Sequence, residues 1–262
     1  MNAFDSLLNY YSNYDENSRL LSRHGSVEFL TTLRYVEKYL KSGDKILEIG
    51  AGTGRYSHYF ARKGYEVDAV ELMPCNIEAF NSNTEAGEHI QITQGNAADL
   101  SFIPDNTYDI TLLLGPMYHL FTEDDQKAAL CEAIRVTKPH GVIFVAYCMN
   151  DATVMQFCFL RQGLLNEHYK NLVDPETFKC HSNPEDIFVM MRTEEIDKLM
   201  QDLNVTKLHR VGTDMLTNYF RTQIDDLPDE LFEEYLKYHF IICERADMIG
   251  NTNHLLDILR KE

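Results

Sequence analysis

Gly50, Gly52 and Gly54 stand at alternate positions directly after the apolar residues Ile46, Leu47 and Ile49, and an acid, Glu48, sits inside that apolar run. Glycines so spaced allow positive φ and let backbone N–H groups approach a ligand where a Cβ would collide. The dinucleotide fingerprint G-x-G-x-x-G needs its third glycine at position 55, which holds Arg55, so the pattern here is G-x-G-x-G. A carboxylate two residues before the turn repels a pyrophosphate and attracts a ligand that carries an ammonium group. Glu71, seventeen residues after Gly54, ends the next apolar segment at 65–71, where a carboxylate can take both hydroxyls of a ribose. Ammonium and ribose together describe S-adenosylmethionine.

Further along, Tyr118 and His119 follow the fourth apolar segment, 110–114. A histidine with a pKa near neutrality could take a proton from a hydroxyl, thiol or ammonium nucleophile as a methyl group leaves sulfur. Methyl transfer needs little beyond alignment of the nucleophile with a charged leaving group, so His119 could equally hydrogen-bond the loop or the N-terminal segment.

These residues require a scaffold. Segments at 46–49, 65–71, 89–94, 110–114 and 142–147 read as strands, 110–114 near-continuously apolar as a strand covered on both faces should be, and helical patterns at 55–63, within 72–80, and at 122–138 alternate with them. Alternation of this kind predicts a parallel α/β sheet. A leading helix carries Val27, Leu30, Leu33, Val36 and Leu40 at helical spacing and ends near Gly43. Past residue 148 the alternation stops: 148–191 is expected to be partly helical, around 154–160. A helix opens at Thr193, a strand follows at 205–211, and a helix with Leu231, Phe232, Tyr235, Leu236, Phe240 and Ile241 on its apolar positions comes next. Residues 254–260 suit a closing strand.

The stretch 46–54 (ILEIGAGTG) resembles the first motif of the class I S-adenosylmethionine-dependent methyltransferases, and the similarity runs to about residue 150 and returns at the C-terminus. The resemblance implies a Rossmann-like, doubly wound seven-stranded sheet with its last strand antiparallel, plus helical cap insertions. It implies one domain over 1–262: an N-terminal lid and first helix (1–43), a cofactor-binding core (44–147), a cap insertion (148–191), and the C-terminal part of the sheet (192–262) with a helical insertion at 218–250. S-adenosyl-L-methionine would be held by Glu48, Gly50, Ala51, Gly52 and Gly54 at its methionine portion and by Glu71 and Leu72 at its ribose. Asn96 and Ala97, with Asp99 as the rival polar residue, would meet the adenine, and Leu114 would line the same site. The product would be S-adenosyl-L-homocysteine. Tyr118 and His119 become candidates for catalysis, and with Tyr11, Tyr14, Arg19 and His24 of the lid for contact with the acceptor. Methyltransferases acting on base amines often carry Asn-Pro-Pro-Tyr after the fourth strand. Residues 114–117 (LGPM) offer no such amide, which turns the expectation away from base methylation. At 138–141 (KPHG), His140 replaces the first glycine of the family's connection to the fifth strand.

Composition narrows the partners. The chain has 41 acids against 24 bases, a formal charge of −17 that repels phosphate backbones and anionic membranes. No nucleic-acid or membrane partner is therefore expected. Six cysteines lack any C-x-x-C pair and read as reduced core residues, which fits the cytoplasm and argues against a metal site. The expected protein is a monomeric or homodimeric enzyme that methylates an O, N or S atom of a small molecule. A protein methyltransferase, a non-catalytic cofactor sensor and an NAD-dependent dehydrogenase are the rival readings.

Overall fold

The computed structural model describes residues 3–262. Five parallel strands form its centre: β1 (Lys45–Ile49), β2 (Glu66–Glu71), β3 (Ile90–Gln94), β4 (Tyr108–Leu113) and β5 (Thr137–Met149). Then come a two-residue strand, β6 (Met190–Met191), and two long strands, β7 (Val205–Gly212) and β8 (His254–Lys261). The sheet order is β3-β2-β1-β4-β5-β8-β7, with β6 paired to the end of β5. β8 runs antiparallel to both neighbours, as expected of the closing strand. The short β6 was not anticipated; two methionines are too short a run to show a strand period.

Helices cover both faces. α1 (Ala3–Asn13) and α2 (Arg23–Tyr39) precede the sheet; α3 (Arg55–Arg62), α4 (Pro74–Asn83) and α5 (Glu123–Val136) connect its first strands. Alternation along β1 sends Leu47 and Ile49 into a core shared with Leu113, Ala129, Leu130 and Val145. Ile46 enters the opposite core with Phe29, Val36, Phe60 and Phe144, beneath α2 and α3. Glu48 shares the Ile46 face, which fixes where its carboxylate goes.

Several local expectations change. α5 stops at Val136 and β5 begins at Thr137, running through the 138–141 turn, where His140 takes φ +63°. That is the left-handed conformation a glycine adopts freely. The helix Thr193–Met200 is capped from Arg192, whose N–H donates to Glu195 at 2.7 Å, rather than by Thr193 itself. In the helix Asp229–Ile242 the buried positions are His239 and Ile242, while Leu231 and Ile241 are exposed. Its register is set by polar anchors to α2 and its surroundings: Thr31 bonds His239 at 2.9 Å and Tyr235 bonds Thr217 at 2.6 Å. The 218–250 insertion thus buttresses α2, and none of its residues lines the main cavity. All six cysteines are free, but only Cys148, Cys158 and Cys243 are buried. No helix among the described residues is long and apolar enough to cross a membrane.

Candidate active site

A cavity of about 510 Å³ opens where the C-terminal edges of β1–β5 meet the start of β8. Ligands of open α/β sheets bind at that edge, and the volume lies within the roughly 300–1,000 Å³ of small-ligand pockets. α1 roofs it through Ala3, Phe4, Leu7 and Tyr11.

One half is built on the glycine turn, in which Gly50, Gly52 and Gly54 take φ of +74°, +55° and +86°. A Cβ on Gly50 would lie 2.5 Å from Pro116, and one on Gly54 2.5 Å from Phe80, whereas one on Gly52 would meet nothing nearer than Glu16 at 3.7 Å. Two of the three glycines therefore answer to protein packing; Gly50 and Gly52 both line the cavity, and of the three only Gly52 has space around a Cβ. Glu71 accepts the Gly52 N–H at 2.7 Å on one oxygen and the Met73 N–H at 2.8 Å on the other. The Asn76 amide also donates to that second oxygen at 3.4 Å, so of the carboxylate's roughly four lone-pair sites the free capacity for a hydroxyl donor lies on the oxygen that takes the Gly52 N–H. Glu48 is buried under α3 and accepts the Ser57 N–H at 2.9 Å together with the Ser57 hydroxyl. Burial pushes its pKa up to about 8 against the pull of those bonds. The full negative charge inferred from sequence is thus not the resting state of this group at neutral pH. Ala51, Leu72, Asn96, Ala97 and Leu114 line the same space. Asn96 closes a local turn by accepting the Ala98 N–H at 3.0 Å. Its rival Asp99 accepts the Ser101 N–H at 3.1 Å and does not reach the cavity.

The other half lies beyond β4. The Tyr118 hydroxyl donates to the Leu114 carbonyl at 2.9 Å. His119 Nδ1 lies 2.8 Å from the Ile187 carbonyl, an acceptor only, so Nδ1 carries the proton and Nε2 accepts from the Tyr11 hydroxyl at 2.8 Å. Burial lowers the His119 pKa to about 4, more than the Ile187 bond raises it. Both ring nitrogens are occupied and the near-neutral pKa expected of a base is absent: burial by α1 and the 184–188 segment overrides the intrinsic value. Arg19 donates from Nε to Glu16 at 3.0 Å and from Nη1 to Glu28 at 2.9 Å. Behind it, His254 Nδ1 sits 2.7 Å from Asp214 and 3.3 Å from Glu28. Burial opposes its charge, but the two carboxylates raise its pKa well above the usual value. Asp214 also accepts from Thr252 Oγ1 at 2.7 Å and the Asn253 N–H at 2.8 Å. Glu28, Asp214 and His254 bring one ligand atom each within 4.8 Å of one another, a spacing a metal ion could use. The His254 proton and Arg19 already supply the positive charge between those acids.

Residues 46–141 match the methyltransferase domain family. A demethylmenaquinone methyltransferase of Tropheryma whipplei is 30% identical over 106 residues, 40% of this chain and 41% of that protein. A protein of Methanocaldococcus jannaschii named as a ribosomal RNA large subunit methyltransferase is 32% identical over 102 residues, 37% of this chain and 26% of that one. The crystal structure of an S-adenosylmethionine-dependent methyltransferase from Methanosarcina mazei shares the fold, with a TM-score of 0.56 and 19% identity over 87% of this chain and 96% of that one. The matched segment is thus similar to methyltransferase domains, and the whole chain shares the fold of S-adenosylmethionine-dependent methyltransferases. It spans about half the length, or less, of the curated relatives it matches.

Within this cavity the sequence candidates divide. Tyr11, Arg19, Tyr118 and His119 line the cavity with the glycine turn and Glu71; Tyr14 and His24 do not. Tyr14 stacks on Tyr10 at 5.0 Å, and His24 pairs with Asp225 at 2.7 Å, tying α2 to the 218–250 insertion. Of the 148–191 cap, Pro184 lines the cavity and Ile187 holds His119. Glu28, Thr32, Thr213 and His254 also line it and carried no local signal, because each lies in an otherwise ordinary helix or strand end.

Proposed function

We propose that this methyltransferase moves a methyl group from S-adenosyl-L-methionine to an O, N or S nucleophile of a small molecule in the cytoplasm, acting as a single-domain monomer or homodimer. The observation that carries the reading is the pairing of an open glycine, Gly52, with a carboxylate, Glu71, at the cavity floor. No pyrophosphate-binding glycine is present at position 55. In this assignment Glu48 and the backbone of 50–54 hold the methionine portion, Glu71 and Leu72 the ribose, and Asn96, Ala97 and Leu114 the adenine. The bound cofactor supplies an activated methyl on a positively charged sulfur.

What the chain adds is alignment and exclusion of water. α1 closes over the cavity, Tyr118 and His119 shape the wall where the acceptor lies, and Arg19 with Glu28 fixes the polar end. His119, neutral and hydrogen-bonded on both sides, positions the roof and is not required to move a proton; a nucleophile held in line with a cationic leaving group needs no strict base. A roofed cavity of this size favours a small acceptor over a polymer. The excess of 41 acids over 24 bases disfavours RNA, although one matched relative is named for it. Protein substrates with basic segments are the second reading, supported by that same charge. Calorimetry with S-adenosylmethionine, followed by incubation with cell extract and a search for products one methyl heavier, tests the proposal. Absence of cofactor binding refutes it outright, binding without turnover leaves a sensor, and labelled polypeptide in place of labelled metabolite selects the second reading.

A further inference from the structure

Outside the main cavity, a second cleft of about 240 Å³ forms between the segment Val154–Leu160 and the turn that joins Thr217–Phe220 to Arg221–Asp225. Arg161 and Arg221 line it together with Gln156, Asn218, Thr222 and Gln223. The arrangement runs against the charge of the chain. With 41 acids available to 24 bases, arginines here find carboxylates readily: Arg19, Arg23, Arg62, Arg135, Arg192, Arg210 and Arg245 each pair with one. Arg161 and Arg221, like Arg34, Arg55 and Arg260, have no such partner among the described residues, and they alone of these five share one cleft. Burial and then the charge of Arg161 lower the pKa of Arg221, against the smaller opposite pull of Asp214 and Asp225, neither of which forms an ion pair with it.

Both guanidinium groups are held rather than loose. Arg161 lies over the Phe157 ring, 4.6 Å from its centroid, and Arg221 donates from Nε to Asn218 Oδ1 at 2.9 Å. That leaves both Nη nitrogens of Arg221 and the whole guanidinium edge of Arg161 without a protein acceptor among the described residues. Two like charges brought to one polar cleft repel unless something of opposite sign lies between them. Planar forks of N–H donors match the oxygens of a phosphate or carboxylate two at a time. Side-chain donors of Gln223 and Thr222 border the same space. The site is close enough to the lid for Arg221 to act on the phenol of Tyr14.

We propose that Arg161 and Arg221 form an oxyanion-binding site, selective for a phosphate-type group, beside the end of the lid and separate from the methyl-transfer cavity. The group is either a free anion or the phosphate of a larger organic molecule. Titration of inorganic phosphate into the full-length protein, at ionic strength held constant with chloride and followed by calorimetry, reads it directly. Saturable binding at one site is expected, weakened tenfold or more by Arg221→Gln and by Arg161→Gln and unchanged by Arg34→Gln, whose guanidinium sits elsewhere over Phe240. Phenyl phosphate binding tenfold tighter than inorganic phosphate assigns the group to an organic ester; equal affinity assigns it to the free anion. Non-saturable binding, or binding that both glutamine variants keep, overturns the site. The measurement uses no methyl donor, so its outcome is independent of the activity proposed above.

Discussion

Glu48 is placed under two opposing demands. Its helix partner Ser57 stabilises the ionised form, and its burial penalises it more, so the folded protein keeps a proton up to a pH of about 8. An unfolded glutamate loses that proton near 4.3. Between those values the native state binds more protons than the unfolded one, so the stability tied to this group is complete below about 4.3 and is lost as pH rises through 8. Glu48→Gln, similar in shape and uncharged, should therefore lose less stability than the parent between pH 5 and pH 9 in urea unfolding, by several kcal/mol at about 1.4 kcal/mol per pKa unit. It should also bind S-adenosylmethionine at least tenfold more weakly, because the methionine ammonium loses its counter-charge. The same coupling requires the wild type to release a proton on binding near pH 7.5, seen as an enthalpy that varies with the ionisation heat of the buffer. His119 behaves in the opposite sense. With its pKa held near 4, its ¹⁵N shifts should report the neutral Nδ1–H ring from pH 8 down to pH 5, and an ionisation near 6.5 assigned to it would contradict the buried latch. The sequence made Glu48, Gly52 and Glu71 legible because a strand, a turn and the next strand place them by local geometry alone. It misjudged the charge state of Glu48 and His119 because desolvation is contributed by distant segments. Glu28, Asp214 and His254 were invisible for a related reason: only the antiparallel return of β8 brings His254 to the helix that carries Glu28.

At the scale of elements, the sheet pattern was readable through β5 and the closing strand, since β1, β4 and β5 carry apolar runs while β2 and β3 alternate apolar with polar residues. What was not readable was how the outer pieces dock. The helix Asp229–Ile242 has apolar residues on several sides, and its burial was decided by polar bonds to α2 that no hydrophobic period encodes. On the β7–β8 ribbon, Asp257 is fully buried and pairs with Arg210 at 2.7 Å; Arg210 also reaches Asp197 at 2.9 Å. Asp257→Ala strands most of a buried guanidinium charge and should cost about 3–5 kcal/mol of stability in chemical denaturation. The Tyr11–His119 bond ties α1 to the loop after β4. Tyr11→Phe should leave the circular dichroism spectrum unchanged while the dissociation rate of S-adenosylhomocysteine rises about threefold to tenfold, measured by stopped flow; one such bond contributes about 1 kcal/mol.

For the molecule as a whole, a ligand that fills the cavity only when the sheet is formed must stabilise the fold. At a hundred times its dissociation constant, S-adenosylmethionine should add about 2.7 kcal/mol. For a chain of this length that corresponds to roughly 5–10 °C in the thermal midpoint. An unchanged midpoint at that excess would remove the cofactor assignment. One architectural fact bears on turnover. α1 packs against Met73 on the ribose side and against His119 on the other, so a single helix spans both ends of the reaction chamber. Donor, acceptor and both spent products then share one doorway, and traffic through it is a queue. The expected outcome is that release past this helix limits the cycle, so that thickening the solvent slows the steady state while leaving a single enclosed turnover untouched.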